Sequence, residues 1–134
     1  MDKFGNINFY INNVQKKIKG GRMMSKFGLY GKFTAIEGKR DTLVEILLEA
    51  AKSMENLDDC EIYTINVSDN DPDSVFVYEV WSSQSAHQES LTLESTKTLI
   101  QRAKPIIAGM EMINKLVPKG GKGVSSVLSN ELNK

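Results

Sequence analysis

One stretch, Val75-Phe76-Val77-Tyr78-Glu79-Val80-Trp81, runs directly into Ser82-Ser83-Gln84-Ser85-Ala86-His87. The first segment has the β-branched and aromatic composition of a strand, and the second has the Ser-rich chemistry of a helix start. The chain contains one tryptophan and one histidine, and this stretch holds both of them. A large aromatic ring and a side chain that titrates near neutral pH are therefore expected to meet at one strand-to-helix corner.

The two faces of this strand are both apolar. Phe76, Tyr78 and Val80 alternate onto one face, and Val77 and Trp81 alternate onto the other. A sheet with one face in water alternates apolar with polar residues instead. Because helices can cover only one of these faces, we expect a second copy of the chain to cover the other, sheet against sheet.

The remaining pattern predicts an α+β fold. Its order is strand, helix, strand, strand, helix, strand, which is the ferredoxin-like βαββαβ arrangement with an antiparallel sheet. An Asp-rich turn at 69–73 is expected to join the middle two strands. The expected strands are 26–35, 60–67, 74–81 and 110–117. The first expected helix is 43–54, with Leu48 on its apolar stripe. A second helix is expected to open at the Ser85–Gln88 capping box, and a third to cover 99–107 and end near Pro105 and Gly109.

The chain divides into three parts by composition. Residues 1–24 form an Asn- and Lys-rich extension, residues 25–118 form one domain, and residues 119–134 are expected to form a flexible Lys/Gly linker with a short tail. The extension ends in a Lys-Gly-Gly-Arg run before Met23, which back-translates to a purine-rich ribosome-binding site. We therefore expect residues 1–22 to be translated leader, with an amphipathic helical arm as the alternative.

The composition excludes several classes of partner. Seventeen basic residues balance seventeen acidic ones, which argues against a nucleic-acid or anionic-membrane surface. No segment has the length of a membrane span or the features of a secretory signal. The single Cys60 forms no disulfide within the chain, and no metal-ligand cluster or phosphate-binding glycine motif is present. We expect a cytoplasmic protein.

The run Tyr78-Glu79-Val80-Trp81, with Ala86-His87 shortly beyond it, resembles the antibiotic biosynthesis monooxygenase family and within it the quinol monooxygenase branch. The likeness covers roughly 26–118. It implies a ferredoxin-like protomer that pairs its sheet with a partner's to form a dimeric α+β barrel. It also implies oxidation of a hydroquinone-like aromatic by molecular oxygen, without metal, flavin or other cofactor.

The chain departs from its relatives at several positions. Quinol-type members commonly carry further histidines on the helices after the tryptophan, where this chain has Ser90 and Ser95. The haem-degrading relatives need an asparagine, a tryptophan and a histidine, where this chain has Gly31, Ser90 and Ile100. The resemblance therefore disfavours haem degradation and leaves His87 without a histidine partner.

Four residues are candidates for the site. His87 would take a phenolic proton as general base, with a solvated surface histidine as the alternative. Trp81 would form the wall of a flat aromatic pocket, unless it serves the core alone. Tyr78 and Tyr30 would orient the substrate through their hydroxyls, again with structural roles as the alternative.

Glu79 is a charged residue in the middle of this apolar strand. It alternates onto the face of Trp81, and a charge there requires a partner. Lys32, Arg102 or a residue of a second subunit are the expected partners, and we expect the role of Glu79 to be structural.

The sequence thus predicts a homodimeric, cofactor-independent monooxygenase acting on a hydroquinone or polyphenol-like aromatic. Two alternatives are open. One is an isomerase of a small oxygenated metabolite on the same fold. The other is a non-catalytic ligand-binding or stress-associated dimer, which the missing helix histidines favour.

Overall fold

A computed structural model describes residues 25–125. The predicted leader and residues 126–134 of the predicted tail lie outside this range. The described chain forms four strands, three α-helices and one 3₁₀ turn. In chain order these are β1 (Phe27–Ala35), α1 (Arg40–Ser53), β2 (Cys60–Ser68), β3 (Asp71–Trp81), α2 (Gln84–Ser90), α3 (Glu94–Ala103), the 3₁₀ turn Lys104–Ile106 and β4 (Ile107–Leu116).

The strands form one antiparallel sheet in the order β2-β3-β1-β4. This confirms the predicted ferredoxin-like βαββαβ order, with the second helical position divided into α2 and α3. Across the two central strands Phe27 lies opposite Trp81, and Leu29 lies opposite Glu79. Because directly opposite residues share a face, this register places the aromatic end of β3 and its carboxylate beneath the helices.

The helices cover one face of the sheet, and the core lies between them. One cluster surrounds Val75 and Val77 and includes Leu43 of α1. A second cluster surrounds Trp81 and Phe27 near the corner. The residues buried in the two clusters are Ala35, Leu43, Ile46, Leu47, Val75, Val77, Ala103 and Ile107 in the first, and Phe27, Leu29, Met54, Trp81 and Ala86 in the second.

The opposite face carries Tyr30, Phe76 and Tyr78, which are only half-buried. The rings of Tyr30 and Phe76 stack with their centroids 6.3 Å apart. The predicted division of the β3 side chains between two faces is thus confirmed. An aromatic surface remains on the side that the helices do not cover, and we call it the outer face.

Several predicted boundaries were wrong by two to three residues. Helix α2 is capped by Ser83, not Ser85, because Ser83 is extended and its hydroxyl accepts the Ala86 N–H at 3.1 Å. The β2–β3 turn is shorter than predicted, since Ser68 already pairs with Asp71. Pro72 is tolerated in β3 because the pairing of β1 with β3 stops at Ser74.

The predicted last helix also ends earlier. Pro105 has no N–H to continue an α-helix, so α3 stops at Ala103 and a 3₁₀ turn follows. Strand β4 then begins at Ile107 instead of Met110, and Gly109 lies within it.

The mostly exposed segment 118–125 contacts the sheet near its two ends. Pro118 lies so close to Gly28 that a Cβ at Gly28 would sit 3.1 Å from its Cγ, which explains a glycine inside β1. Farther along, the Ser125 N–H donates to Glu61 Oε1 at 2.9 Å, and Lys26 Nζ donates to Ser125 Oγ at 2.8 Å. Lys26 and Glu61 also form a largely buried ion pair. The chain after β4 is thereby tied to the start of β1 and to β2.

No helix in residues 25–125 is long and apolar enough to cross a membrane.

The two faces of α1 give a test of this packing. Leu43 is 0% exposed, whereas Leu48, which was wrongly predicted on the buried stripe, is 51% exposed. Substitution Leu43→Ala leaves a cavity and is expected to lower the free energy of unfolding by about 2–5 kcal/mol. Leu48→Ala on the same helix serves as the matched control and is expected to change it by about 0.5 kcal/mol or less. Urea denaturation measures both, and equal effects would contradict the orientation of α1.

Candidate functional site

The end of β3 and the start of α2 bring the predicted corner together. Trp81 ends the strand, Ser83 caps the helix, and the His87 N–H donates to the Ser83 carbonyl at 3.3 Å. One turn into α2, the His87 side chain turns inward and is 4% exposed. The alternative of a solvated histidine is therefore wrong, because the short helix lies with this face against the sheet.

His87 lines a cavity of about 100 Å³ between the sheet and the helices. An apolar protein cavity of about 150 Å³ holds a benzene molecule, and this cavity is somewhat smaller than that. The walls are mostly apolar. The lining residues are Leu29, Phe33, Leu47, Met54, Tyr63, Glu79, Trp81, His87, Ser90, Leu91, Thr96, Leu99, Ile100, Ala103, Ile107 and Met110.

Two aromatic rings hold the imidazole. Trp81 meets it edge-on, with centroids 5.8 Å apart and an interplanar angle of 73°. Phe27 lies against it at 4.9 Å with a tilt of 46°. These contacts restrict the orientation of His87, because aromatic pairs favour tilted and edge-to-face geometries at these separations.

Glu79 is the charged partner at this site. Its Oε1 accepts a hydrogen bond from Trp81 Nε1 at 2.9 Å and lies 3.8 Å from His87 Nε2. The predicted pairing with Lys32 or Arg102 was wrong, because Lys32 pairs with Asp71 and Arg102 pairs with Glu49 on other surfaces. The glutamate, the indole and the imidazole thus form one contiguous polar group in an apolar wall.

Burial changes the protonation of this group. Desolvation raises the pKa of Glu79 to about 7, with the Trp81 hydrogen bond opposing the rise. Desolvation lowers the pKa of His87 to about 4, so its imidazole is neutral at pH 7. A neutral imidazole is able to accept a proton, and a carboxyl that titrates near pH 7 is able to exchange one.

One polar atom of the site has no partner. Within residues 25–125, His87 Nδ1 is the buried side-chain nitrogen or oxygen for which no hydrogen bond is found. The nearby hydroxyls are already engaged with the backbone, since Ser90 Oγ donates to the His87 carbonyl at 2.5 Å and Thr96 Oγ1 donates to the Ser90 carbonyl at 2.6 Å. A buried polar atom left unpaired is unusual and calls for an explanation.

The structure brings together only part of the predicted site. Trp81 and His87 share the cavity, but Tyr30 and Tyr78 lie on the outer face, in a separate surface depression with Asn66 and Phe76. The sheet separates the two tyrosines from His87, because their positions on β1 and β3 alternate away from the helices.

Glu79 is the residue that the sequence interpretation did not place in the site. A signal was present, namely a carboxylate two residues before a tryptophan and therefore on the same strand face as the indole N–H. Of the family histidine positions, Ser90 lines the cavity and Ser95 is exposed. Ile100 also lines the cavity.

The described residues offer neither a reactive thiol nor a metal-binding cluster at this site. Burial, with help from the charges of Glu79 and Glu61, raises the pKa of the Cys60 thiol to about 12, so it is not a nucleophile at neutral pH. Within the described residues, no three His, Cys, Asp or Glu side chains converge in a way that could hold a metal ion.

Comparison with known proteins identifies the class. The family model for antibiotic biosynthesis monooxygenase matches residues 27–102. A solved structure from Chloroflexus aurantiacus J-10-fl, assigned to the antibiotic biosynthesis monooxygenases, is 37% identical and superposes with a TM-score of 0.68 over 75% of this chain and 100% of its own. The chain belongs to the antibiotic biosynthesis monooxygenase family.

More distant structures share the fold. A protein from Caulobacter crescentus CB15, also assigned to this family, is 18% identical with a TM-score of 0.67 over 76% of this chain and 97% of its own. A conserved protein from Methanosarcina mazei Go1 is 12% identical with a TM-score of 0.64 over 72% and 95%. A search of curated proteins gives no match.

The raised pKa of Glu79 predicts a specific pH dependence of stability. A carboxyl whose pKa rises from 4.5 in the unfolded chain to about 7 in the fold stabilises the protein below pH 4.5, and this contribution is lost as the pH rises through 7. Substitution Glu79→Gln removes the effect. We expect the stability of the variant relative to the unmodified protein to increase by about 3 kcal/mol between pH 4.5 and pH 8, measured by urea denaturation at each pH.

Glu45→Gln, at an exposed position of α1, is the control for loss of a carboxylate and is expected to show no such change. A difference between Glu79→Gln and the unmodified protein that is constant with pH would contradict the raised pKa.

Proposed function

We propose that the protein is a monooxygenase that oxidises a small hydroquinone or polyphenol-like aromatic with molecular oxygen and without a metal or flavin. Membership of the antibiotic biosynthesis monooxygenase family supports the class of reaction. The observation that carries the proposal is the buried His87 at the wall of a mostly apolar cavity of about 100 Å³.

His87 starts the reaction by removing a proton from a phenolic hydroxyl. The resulting phenolate is rich in electrons and is able to pass one to molecular oxygen, and recombination forms a new carbon–oxygen bond. For a hydroquinone the balance is hydroquinone plus O₂ giving hydroxyquinone plus water. The substrate supplies all four electrons, and one oxygen atom enters the product while the other leaves as water. No further reductant is required.

The walls of the cavity have two roles in this proposal. Trp81 and the aliphatic residues hold the ring flat and close to the imidazole, which favours a productive orientation. They also exclude water, which would otherwise quench reactive intermediates. Trp81 is buried to 1% exposure and its N–H is already bonded to Glu79, so it acts as a wall and not as a proton donor.

We further propose that two copies pair through the outer face to form a dimeric barrel. Tyr30, Phe76 and Tyr78 give this face an aromatic surface that the helices do not cover. A sheet face of this kind is normally packed against another layer. In such a dimer, the two tyrosines predicted to bind substrate would stabilise the interface instead.

Oxygen uptake tests the activity. Metal- and flavin-free protein is expected to consume oxygen with members of a hydroquinone panel. His87→Ala is expected to lower the rate by about a hundredfold or more, because positioned proton transfer contributes about 10²–10⁴. Gln88→Ala, a neighbour on the same helix, is the control, and circular dichroism verifies that both variants fold. Undiminished turnover by His87→Ala would overturn the role of the histidine.

The outer face has its own test. Phe76→Asp places a carboxylate in the middle of this surface and is expected to convert a dimer into a monomer, because an unpaired charge is costly to bury. Sedimentation equilibrium measures the mass, with Glu45→Gln as a control far from the sheet. A dimer that persists in Phe76→Asp would contradict this interface.

A second candidate function is binding of a small aromatic ligand without turnover. Ser90 favours it, because this serine lines the cavity at a position where quinol-type relatives carry a histidine, and its hydroxyl is bonded to the backbone. Saturable binding of the panel compounds, measured by quenching of Trp81 fluorescence without product formation, would support this function over the first.

A further inference from the structure

The two ring nitrogens of His87 lie in different surroundings. Nε2 is 3.8 Å from Glu79 Oε1. Nδ1 is buried and has no hydrogen-bond partner among residues 25–125. A neutral imidazole carries its proton on one nitrogen and a lone pair on the other, so this asymmetry determines which nitrogen is available as a base.

We propose that Glu79 is a positioning residue that holds the His87 proton on Nε2 and thereby leaves Nδ1 as the unprotonated nitrogen of the neutral ring.

The geometry favours this tautomer for electrostatic reasons. With the proton on Nε2, an N–H dipole faces a carboxylate oxygen, as in other carboxylate–histidine pairs. With the proton on Nδ1, the Nε2 lone pair would face the carboxylate, and the Nδ1–H would be buried without an acceptor. Oε1 also receives the Trp81 N–H, and two donors converging on one oxygen suit an ionised carboxylate.

The distance of 3.8 Å is longer than a hydrogen bond. In the free protein the pairing is therefore electrostatic, and it is strengthened by the low dielectric of the buried site. Catalytic hydrogen bonds are often long before substrate binds and shorten in the complex. Glu79 is well placed for this, because its side chain is 14% exposed and borders the cavity.

No other charged group competes for this role. Strand β2 contributes Cys60, whose thiol stays protonated, and Tyr63, which lines the cavity. The residues that line the cavity from α1, α3, β1 and β4 are uncharged. Among the described residues that line the cavity, Glu79 is therefore the group that changes charge near neutral pH.

The proton transfer conserves charge. The phenolic O–H bond breaks, its proton moves to the imidazole, and its electron pair remains on the phenolate oxygen. The imidazolium then carries Nε2–H toward Glu79, so that the positive charge forms between two anions, the carboxylate and the phenolate. This last step rests on the proposed function, whereas the position of the proton in the free protein does not.

Nitrogen NMR tests the position of the proton directly. The chain has one histidine, so full-length ¹⁵N-labelled protein gives a single pair of imidazole nitrogen signals. At pH 8, where Glu79 is ionised, we expect Nε2 to be protonated and Nδ1 to have the shift of an unprotonated nitrogen. As the pH falls through about 7, Glu79 takes up a proton, and we expect an Nδ1–H population to appear.

Glu79→Gln is the matched variant. Its amide preserves the shape of the side chain but not the charge, so both tautomers are expected at pH 8 and the change near pH 7 is expected to disappear. Glu45→Gln is expected to behave like the unmodified protein. A mixture of tautomers, or an Nδ1–H form, in the unmodified protein at pH 8 would overturn the inference.

The rate of oxygen uptake gives the second arm. In the unmodified protein we expect the rate to fall as the pH is lowered through about 7. Glu79→Gln is expected to be slower at pH 8 by about tenfold to a hundredfold and to lose that inflection. Turnover that is unchanged in Glu79→Gln would overturn the inference while leaving the monooxygenase proposal intact. Conversely, the predicted NMR result without any oxygen uptake would leave the proton assignment intact and reject the monooxygenase.

Discussion

Phe27 lies opposite Trp81 across the two central strands, and Leu29 lies opposite Glu79. This antiparallel register decides which side chains of β1 and β3 face the helices. A shift of β3 by one residue would turn Trp81 and Glu79 to the outer face and Tyr78 to the helices. The cavity, the buried histidine and the aromatic outer face all depend on the register being the one observed.

The same register places a carboxylate in an apolar core. Burial of Glu79 carries a cost, which appears as a pKa raised to about 7. The indole N–H offsets only part of that cost, and replacing such a group by a hydrophobic one is often neutral or stabilising. Groups with strongly displaced pKa values are frequent at functional sites, and here the displaced carboxyl and the displaced imidazole face each other across 3.8 Å. Their protons belong to the pair, which binds one proton near pH 7 and a second only near pH 4.

Much of this fold was predictable because its signals are local. Alternation along residues 75–81 separated the two faces of β3, and the order of elements was sufficient for the βαββαβ arrangement. The helix ends were harder to predict because Ser82, Ser83 and Ser85 all suit a cap, and only the path of the chain leaving Trp81 selects Ser83. The structure brings Trp81 and His87 together at the predicted strand-to-helix corner. The partners predicted for Glu79 within the chain were wrong. A contact between a strand residue and a residue eight positions later in the following helix produces no periodic pattern in the sequence.

The hydrogen bonds and the ion pair among Lys26, Glu61 and Ser125 have a further consequence. They join two positions that are 99 residues apart through a contact of 2.8 Å. The two ends of the described domain therefore lie next to each other at one corner of the sheet. Domains whose termini lie close together commonly tolerate circular permutation, in which the old termini are joined and new ones are made elsewhere. The exposed two-residue turn between β2 and β3 is one place where new ends could be made, since it lies at the surface. The turn residues do not line the cavity, so new termini there are expected to leave the Glu79–His87 pair intact.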